Sequence, residues 1–308
     1  MKRLLGLVLV ITMIPAGSAL AADLEELLER SGEASYSAEQ LITCNTPDGT
    51  RDALIELKQS SGELRYSGVH DSDVEVSSGF GAWSVQSGGS LIQPEPEDEE
   101  RLLVTAAPTY SVDDGSRVIF LGRPATAYQL ERDGLIRAEL IVDNAVGVLV
   151  SVTSFDVDGN IYCQRRFVSF DPTTPTWSPW PAGDDVASIE PSEAAGFPER
   201  LDGFRRLDLY QDESGLSFAY YSDGFFSFAV FDSPSQVVLD DGSEYETEGS
   251  VYQRQFNPGQ VTYAWTAADG YMALTGDLPP DMHDAVLSGL ERPYDPGLFR
   301  RLWRRIFG

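Results

Sequence analysis

Hydrophobic and polar residues alternate in short runs along most of the chain, and a period of two residues is typical of half-buried β-strands. Turn residues separate these runs from Ala34 onward. The pair Asp-Gly occurs eight times, with its glycines at Gly49, Gly115, Gly134, Gly159, Gly203, Gly224, Gly242 and Gly270. Because Asp-Gly between β-prone runs favours tight hairpins, the pattern predicts antiparallel meanders rather than alternating strands and helices.

The clearest meander is predicted in the middle of the chain. Its three strands are expected at 137–142, 148–155 and 161–170, with turns near 143–144 and 158–159. Apolar residues at helical spacing are scarce by comparison. The chain is therefore predicted to be mainly β, in the α+β class.

Two helices are nevertheless predicted. Asp23–Arg30 places three leucines on one face, which indicates a short amphipathic helix. A second helix is expected to begin at Pro279-Pro280-Asp281 and to carry Met282, Ala285, Val286 and Leu290. A proline in the first turn of a helix costs little, because its missing N–H would be unpaired there.

The first residues have the pattern of a secretory signal peptide, expected over 1–21. Lys2 and Arg3 are followed by an apolar stretch too short to span a bilayer comfortably, and then by Ala19-Leu20-Ala21. Small residues at this spacing are typical of a signal peptidase site. The mature chain is therefore expected to be exported and soluble.

Composition divides the remaining chain into four segments. A large domain is predicted over 22–170 and a smaller one over 197–291. Between them, 171–196 is rich in Pro, Thr, Ser and acidic residues, as a linker or strap would be. A basic amphipathic tail is expected over 292–308.

The chain is strongly acidic, with a formal net charge of -27 over 308 residues. Such a charge repels phosphates and argues against binding of nucleic acid. Its two cysteines, Cys44 and Cys163, both lie in strand-like runs. In an oxidising compartment they form a possible disulfide, and two buried free thiols are the alternative.

No catalytic constellation stands out. The two histidines, His70 and His283, do not accompany a cysteine and carboxylate cluster at metal-ligand spacing. A nucleophile elbow, a phosphate-binding loop and a dinucleotide fingerprint are also missing from the sequence. We therefore predict a binding protein without enzymatic activity, metal or cofactor.

One hairpin is expected to be apolar on both faces, "AYYSDGFFSFAVF" at 219–231. A two-residue turn at Asp223-Gly224 would pair Tyr221 with Phe226 and leave aromatic residues on both sides of the sheet. A hairpin that covers only one side of a core should alternate apolar and polar residues. Either the second face contacts the strap, the large domain or a partner, or both faces are buried within the small domain.

This hairpin carries a family resemblance. Together with "YMALTGDLPPDMHDAVLSGL" at 271–290 it resembles the C-terminal domain of the RseB/MucB family, periplasmic regulators of an envelope-stress (sigma-E) sigma factor. The matching positions are Tyr221, Ser222, Asp223, Gly224, Phe226, Ser227, Gly276, Asp277, Leu278 and Pro279. The stretch from Val118 to Phe167 is similar to the family's N-terminal part. The run "FPERLDGF" at 197–204 lacks the tryptophans that the family commonly has there.

The resemblance implies an architecture and a function. The large domain would be a LolA-like, unclosed antiparallel β-barrel with short helices and a cavity for acyl chains, and the small domain an antiparallel sheet with one helix. Such a protein would work in the periplasm as a negative regulator. It would bind the periplasmic domain of a membrane-spanning anti-sigma factor and protect it from proteolysis, until acyl chains of lipopolysaccharide or lipoproteins release it. A periplasmic lipid or lipoprotein carrier of LolA type is the alternative function.

Partner binding is expected at the hairpin. The residues assigned to it are Tyr221, Ser222, Asp223, Gly224, Phe226 and Phe228.

The basic tail is a second predicted contact. At helical spacing its apolar residues and its arginines fall on opposite faces, which is typical of an interfacial helix on anionic lipid. The predicted membrane-contact residues are Phe299, Arg300, Arg301, Leu302, Trp303, Arg304, Arg305, Ile306 and Phe307. Alternatively, the tail folds back and its arginines pair with the protein's own carboxylates.

Overall fold

The computed structural model describes 34–60, 63–67, 74–79, 82–87, 90–92, 109–173, 175, 187–188, 196–211, 215–239 and 242–294. The predicted signal peptide, the helix at 23–30 and the membrane-contact residues 299–307 lie outside these ranges. Most of the predicted strap does so too. Among the described residues, no helix is both long and apolar enough to cross a membrane.

The described strands follow one another along the chain with few helical interruptions. The first six are β1 (Tyr36–Thr46), β2 (Gly49–Ser60), β3 (Glu63–Ser67), β4 (Val74–Gly79), β5 (Ala82–Ser87) and β6 (Ser90–Ile92). The next six are β7 (Ser111–Val112), β8 (Ser116–Phe120), β9 (Arg123–Arg132), β10 (Leu135–Asp143), β11 (Leu149–Phe155) and β12 (Ile161–Asp171).

The remaining elements form the C-terminal part. They are β13 (Ala187–Ser188), β14 (Arg200–Leu201), β15 (Phe204–Gln211), β16 (Ser217–Ser222), β17 (Ser227–Ser233), β18 (Ser243–Thr247), β19 (Ser250–Asn257), β20 (Gln260–Thr266) and β21 (Tyr271–Asp277). A 3-10 turn at Pro280–Met282 leads into helix α1 (His283–Ser288). The predicted meander is confirmed in β10, β11 and β12, and the predicted closing helix in α1.

These strands form two nine-stranded sheets and a three-stranded one, and all the strand pairs are antiparallel. The N-terminal sheet has the order β3-β2-β1-β12-β11-β10-β9-β7, with β8 also paired to β9. The C-terminal sheet has the order β13-β15-β16-β17-β21-β20-β19-β18, with β14 also paired to β15. Strands β4, β5 and β6 form the three-stranded sheet, and β4 runs close to β17 and β21.

Asp-Gly pairs close two of the hairpins as predicted. Asp133-Gly134 joins β9 to β10, and Asp202-Gly203 joins β14 to β15. All four residues have positive φ, between 40° and 87°. Type I′ turns need this backbone conformation, which glycine and aspartate adopt more readily than most residues.

The N-terminal sheet is open within the described residues, because β3 at one end of its path does not pair with β7 or β8 at the other. Its apolar side chains are buried in two clusters. One contains Tyr36, Ile55, Phe167 and the two cysteines, and the other contains Tyr110, Tyr128, Leu130, Ala138, Leu140 and Val142. We call the second group the β9–β10 cluster.

The C-terminal sheet has one large apolar cluster, which we call the C-terminal core. It runs from Phe197 through the sheet to Leu290 and includes Val286 and Leu287 of α1. Mainly β structure, two antiparallel sheets and an open N-terminal sheet confirm the predicted fold class.

Candidate functional site

The turn between β16 and β17 has four residues, not the two that the sequence predicted. Ser222 pairs with Ser227, so that Asp223–Phe226 form the turn and Tyr221 faces Phe228 instead of Phe226. The predicted register is therefore wrong by two residues. Each side chain nevertheless lies on the face where it was predicted, because side chains alternate with a period of two and the register differs by two residues.

The Asp223 carboxylate holds this longer turn together. Its Oδ1 accepts hydrogen bonds from the backbone N–H groups of Phe225 at 2.9 Å and Phe226 at 2.8 Å. The Ser222 hydroxyl accepts another from the N–H of Gly224 at 2.9 Å. Short polar side chains often stabilise turns in this way, and here they satisfy three backbone donors at once.

One face of the hairpin belongs to the C-terminal core. Tyr221, Phe226 and Phe228 are all fully buried there. The Tyr221 ring stacks on Phe228 with centroids 5.1 Å apart, and its hydroxyl donates to the carbonyl of Pro198 at 2.7 Å. These three side chains therefore hold the fold, and partner contact through them stays a prediction.

The second aromatic face is buried as well. Phe218, Tyr220, Ala229 and Phe231 form a separate cluster with Ala273 of β21. Strand β4 passes close to β17 and β21. The chain itself thus buries both faces of the hairpin.

Gly276 has a steric role at the centre of this sheet. It lies opposite Phe228, and a Cβ at position 276 would be only 2.4 Å from the Phe228 Cα. No larger residue fits without moving β17 away from β21. This close approach accounts for one of the positions that carry the family resemblance.

The tip of the hairpin reaches the N-terminal sheet. Asp223 Oδ2 accepts hydrogen bonds from the Tyr110 hydroxyl at 2.6 Å and from Arg132 Nη1 at 2.8 Å. The adjacent Phe225 ring packs against both the C-terminal core and the β9–β10 cluster, and its centroid is 6.0 Å from that of Tyr110. The turn therefore makes a polar and an apolar contact across the two sheets.

Two further arginines of the N-terminal sheet meet aspartates of the C-terminal part. Arg137 Nη2 lies 3.0 Å from Asp281 Oδ2. Arg165 Nη2 lies 3.1 Å from Asp277 Oδ2 and donates to the carbonyl of Gly259 at 2.7 Å. We call these contacts, with those of Asp223, the joint. In each of its ion pairs the N-terminal sheet supplies the cation.

The disulfide also lies at the joint. Cys44 and Cys163 are opposite each other on β1 and β12, and their sulfurs are bonded. The Cys44 sulfur accepts a hydrogen bond from the N–H of Gly259 at 3.1 Å. The covalent link that ties β1 to β12 therefore also contacts the C-terminal sheet.

Burial dominates the electrostatics of the joint. It raises the pKa of Asp223, against the opposing effects of the Tyr110 hydroxyl, the turn N–H groups and Arg132. Burial likewise raises the pKa of Asp277, and Arg165 opposes it. Burial and the Asp223 charge raise the pKa of Tyr110, so that its hydroxyl stays a neutral donor.

The geometry suits binding of an anion. A phenol hydroxyl and a guanidinium converge on one carboxylate whose side chain is 0% exposed, while that of Arg132 is 23% exposed. Charge-assisted hydrogen bonds of this kind are stronger than neutral ones. Within the described ranges, no group of three or more His, Cys, Asp or Glu side chains could hold a metal ion.

Sequence reasoning did not bring the two sides of the joint together. Asp223 and Asp277 were among the positions of the family resemblance, and Arg132 and Arg165 lie in the stretch 118–167 that resembles the family's N-terminal part, but nothing in the sequence paired them. His283 is buried: its Nδ1 is 2.7 Å from the Tyr263 hydroxyl and its Nε2 is 2.9 Å from the Leu278 carbonyl oxygen. It is part of the fold around the C-terminal sheet.

In the described part of the chain, two open antiparallel sheets contact each other through ion pairs, hydrogen bonds and the Phe225 ring. In sequence, the chain matches no protein-family profile and no curated protein. Its structure is similar to that of MucB, with a TM-score of 0.53 and 17% identity over 88% of this chain and 98% of the MucB chain. For MucB in complex with MucA(peri) the TM-score is 0.50 and the identity 17%, over 90% and 100% of the two chains. The predicted RseB/MucB fold is thus confirmed.

Proposed function

We propose that this protein is a periplasmic negative regulator of an extracytoplasmic-stress sigma factor. It binds the periplasmic domain of a membrane-spanning anti-sigma factor and protects that domain from proteolysis. The observation that carries the proposal is the extent of the likeness to MucB, which covers 98% of the MucB chain. A structure of MucB with MucA(peri) has a similar fold.

Two features support a periplasmic location. The N-terminal pattern of basic, apolar and small residues is that of an exported protein. The bonded Cys44 and Cys163 suit an oxidising compartment, because cytosolic thiols are normally kept reduced. We therefore place the mature protein in the periplasm.

The polar contacts of the joint support the proposal that partner binding is regulated. Ion pairs such as Arg137–Asp281 and Arg165–Asp277 can separate and be hydrated, whereas an apolar core loses stability when it opens. Polar interfaces between domains allow relative domain motion more readily than large apolar ones. A partner bound by both domains would then be released when an acyl chain of lipopolysaccharide or a lipoprotein shifts the joint.

Affinity capture from envelope extract tests the partner. With the mature protein as bait, we expect a membrane protein with a single span and a cytoplasmic anti-sigma domain. A bait carrying Phe226→Ala, a change at a predicted partner-binding residue, should recover less of it, whereas Val238→Ala, at an exposed side chain, is the control and should recover as much as the wild type. Recovery of lipoproteins alone would instead indicate a carrier, and recovery of neither would contradict the proposal.

Protease protection tests the regulatory step. The captured periplasmic domain should be cleaved slowly when this protein is bound and quickly when it is free. Adding lipopolysaccharide should restore rapid cleavage. If cleavage proceeds at the same rate with and without this protein, the protein does not protect the domain, and that part of the proposed function is wrong.

The tail adds a peripheral membrane contact to the proposal. Four arginines, Arg300, Arg301, Arg304 and Arg305, occur within six residues of an otherwise acidic chain. Each can contribute about 1 kcal/mol of attraction to anionic lipid. Deleting 297–308 should abolish flotation with anionic vesicles at moderate salt. Equal flotation of both proteins would favour the alternative, in which the tail folds back on the protein's own carboxylates.

A further inference from the structure

The disulfide lies beneath a turn of the C-terminal sheet. Pro258 and Gly259 form the two-residue turn between β19 and β20. The Gly259 N–H donates to the Cys44 sulfur at 3.1 Å, and the Gly259 carbonyl accepts a hydrogen bond from Arg165 Nη2 at 2.7 Å. Both backbone polar groups of this glycine therefore contact the N-terminal sheet, one of them at the disulfide itself.

Glycine suits this close contact in two ways. The backbone at Gly259 has a φ of 84°, a conformation that residues with a side chain rarely adopt. A Cβ at this position would be 3.1 Å from Arg165 Nη2, closer than an ordinary van der Waals contact. The local sequence is thus adapted to a close approach of the turn to β12.

The two sulfurs are covered from both sheets. Cys44 and Cys163 are each only 2% exposed. The N-terminal sheet surrounds them with its own apolar cluster, and the C-terminal part adds the turn at Gly259. The first cover is a packed core, whereas the second is held by the polar contacts of the joint, among them those of Arg165. Opening of the joint therefore removes the second cover without unfolding the sheet that carries the cysteines.

We propose that the joint controls thiol–disulfide exchange at Cys44 and Cys163, so that a protein dithiol reduces this bond only after the joint opens. In the closed joint the turn at Gly259 lies on the Cys44 sulfur and excludes the attacking thiolate. Access is one of the factors that set the rate of such an exchange. The inference goes beyond the proposed function, because it rests on the contacts of the joint and involves no anti-sigma partner.

The exchange consists of two substitutions at sulfur. A thiolate of the dithiol attacks one cysteine sulfur, forms a mixed disulfide with it and breaks the bond between Cys44 and Cys163. The second thiol of the reductant then attacks its partner sulfur in the mixed disulfide and releases the protein thiol. Two electrons and, in balance, two protons pass from the dithiol, which becomes a disulfide, to the cysteine pair. Strands β1 and β12, neighbours in the N-terminal sheet, then lose their covalent link.

The rate of reduction by excess dithiothreitol tests this control in the full-length mature protein. Arg165→Gln removes the ion pair with Asp277 and the guanidinium that holds the Gly259 carbonyl. We expect this variant to be reduced about tenfold faster than the wild type, because the rate follows the fraction of open protein when opening is faster than exchange. Loss of the positive charge alone would have the opposite effect, since a nearby cation attracts the thiolate. Alkylation at timed intervals and mass spectrometry measure the rate.

Two further variants show which part of the protein must open. Asp281 pairs with Arg137 across the joint, and this pair involves neither β1 nor β12, so Asp281→Asn should also accelerate reduction. Arg123 pairs with the buried Asp143 inside the N-terminal sheet, and Arg123→Gln is the matched control. It destabilises that sheet without removing a contact to the C-terminal part, so its reduction rate should stay within about twofold of that of the wild type.

Two results would overturn the inference. If Arg165→Gln and Asp281→Asn are reduced no faster than the wild type, the N-terminal sheet alone protects the disulfide. If Arg123→Gln is reduced as fast as Arg165→Gln, unfolding of the N-terminal sheet exposes the sulfurs, and the joint has no part in it. Because the assay contains no anti-sigma partner, either result would leave the proposed partner binding untouched.

Discussion

The two sheets bury their apolar residues in different ways. The C-terminal sheet has a large core, to which its strands and helix α1 contribute, and a smaller apolar cluster on its other face, and both consist of residues of the C-terminal part. In the described part of the N-terminal sheet the apolar residues form two clusters, one around the disulfide and one at β9 and β10. The second of these is completed by Phe225, a residue of the C-terminal domain.

This difference separates a self-contained sheet from a dependent one. Removing a side chain from the C-terminal core should directly lower the unfolding free energy of the protein. Changes in the N-terminal sheet should act in two ways, through its disulfide and through the joint. The following predictions test this division, and the largest expected effect comes first.

Phe226→Ala should destabilise the protein most. Phe226 is fully buried in the C-terminal core, and replacing a buried phenylalanine by alanine costs about 4 kcal/mol of unfolding free energy. Urea unfolding followed by tryptophan fluorescence measures it. Val238→Ala, at a side chain that is 69% exposed, is the control and should have little effect.

The same pair of variants tests the predicted partner contact. If Phe226 only stabilises the core, partner affinity should fall in proportion to the unfolded fraction. A well-folded Phe226→Ala protein with a much lower affinity would instead indicate direct contact. A stable variant with unchanged affinity would contradict both roles.

Reduction of the disulfide should have the second largest effect. Cys44 and Cys163 are 119 residues apart in sequence, so the bond restricts a long loop in the unfolded chain. We expect its loss to cost about 3 kcal/mol. Urea unfolding with and without dithiothreitol measures this, and the double variant Cys44→Ser/Cys163→Ser should show no response to the reductant. Identical midpoints in wild type would refute the prediction.

The hairpin shows what the sequence could predict. Alternation placed Tyr221 and Phe228 on one face and Tyr220 and Ala229 on the other, and this assignment is correct. The predicted register was wrong. It was based on the preference of Asp-Gly for two-residue turns and did not take the hydrogen bonds of the Asp223 carboxylate into account. That carboxylate accepts two N–H groups and favours the longer turn.

The joint could not be predicted from the sequence. Its ion pairs join residues that are far apart in the sequence. Arg132 and Asp223 are separated by 91 positions, and Arg137 and Asp281 by 144. In a chain with 49 acidic residues and 22 basic ones, local pattern does not show which carboxylate an arginine meets. Only the packing of the two sheets decides it.

Arg165→Gln should weaken the joint by about 2 kcal/mol. It leaves the Asp277 carboxylate buried without its cation, and breaking one side of a buried pair costs more than removing both charges. The double variant Arg165→Gln/Asp277→Asn should therefore recover part of the lost stability in urea unfolding. Glu248→Gln, in the exposed pair with Arg292, is the control and should change little. A double variant less stable than the single one would contradict the expected cost of the unpaired charge.

The last expected effect, no larger than that of Arg165→Gln, is a pH dependence located at helix α1. Burial, opposed by the hydrogen bond to the Leu278 carbonyl and by the charges of Asp281 and Asp284 and assisted by that of Arg254, lowers the pKa of His283 to about 4. The unfolded chain takes up a proton near pH 6.5, while the folded chain resists it down to about pH 4. His283 therefore makes its full contribution to the unfolding free energy above pH 6.5 and loses it as the pH falls towards 4. The loss between pH 7.5 and 5 should be about 2 kcal/mol.

A comparison with His283→Gln isolates this contribution. Burial raises the pKa of Asp223 and of Asp277, so these two groups favour the folded state as the pH falls and partly offset the histidine. They are present in both proteins and cancel in the difference. The variant should be less stable at pH 7.5, because the contacts to Tyr263 and Leu278 are altered, but its stability should fall less on acidification. If the two proteins lose stability in parallel between pH 7.5 and 5, His283 is not the acid-sensitive group.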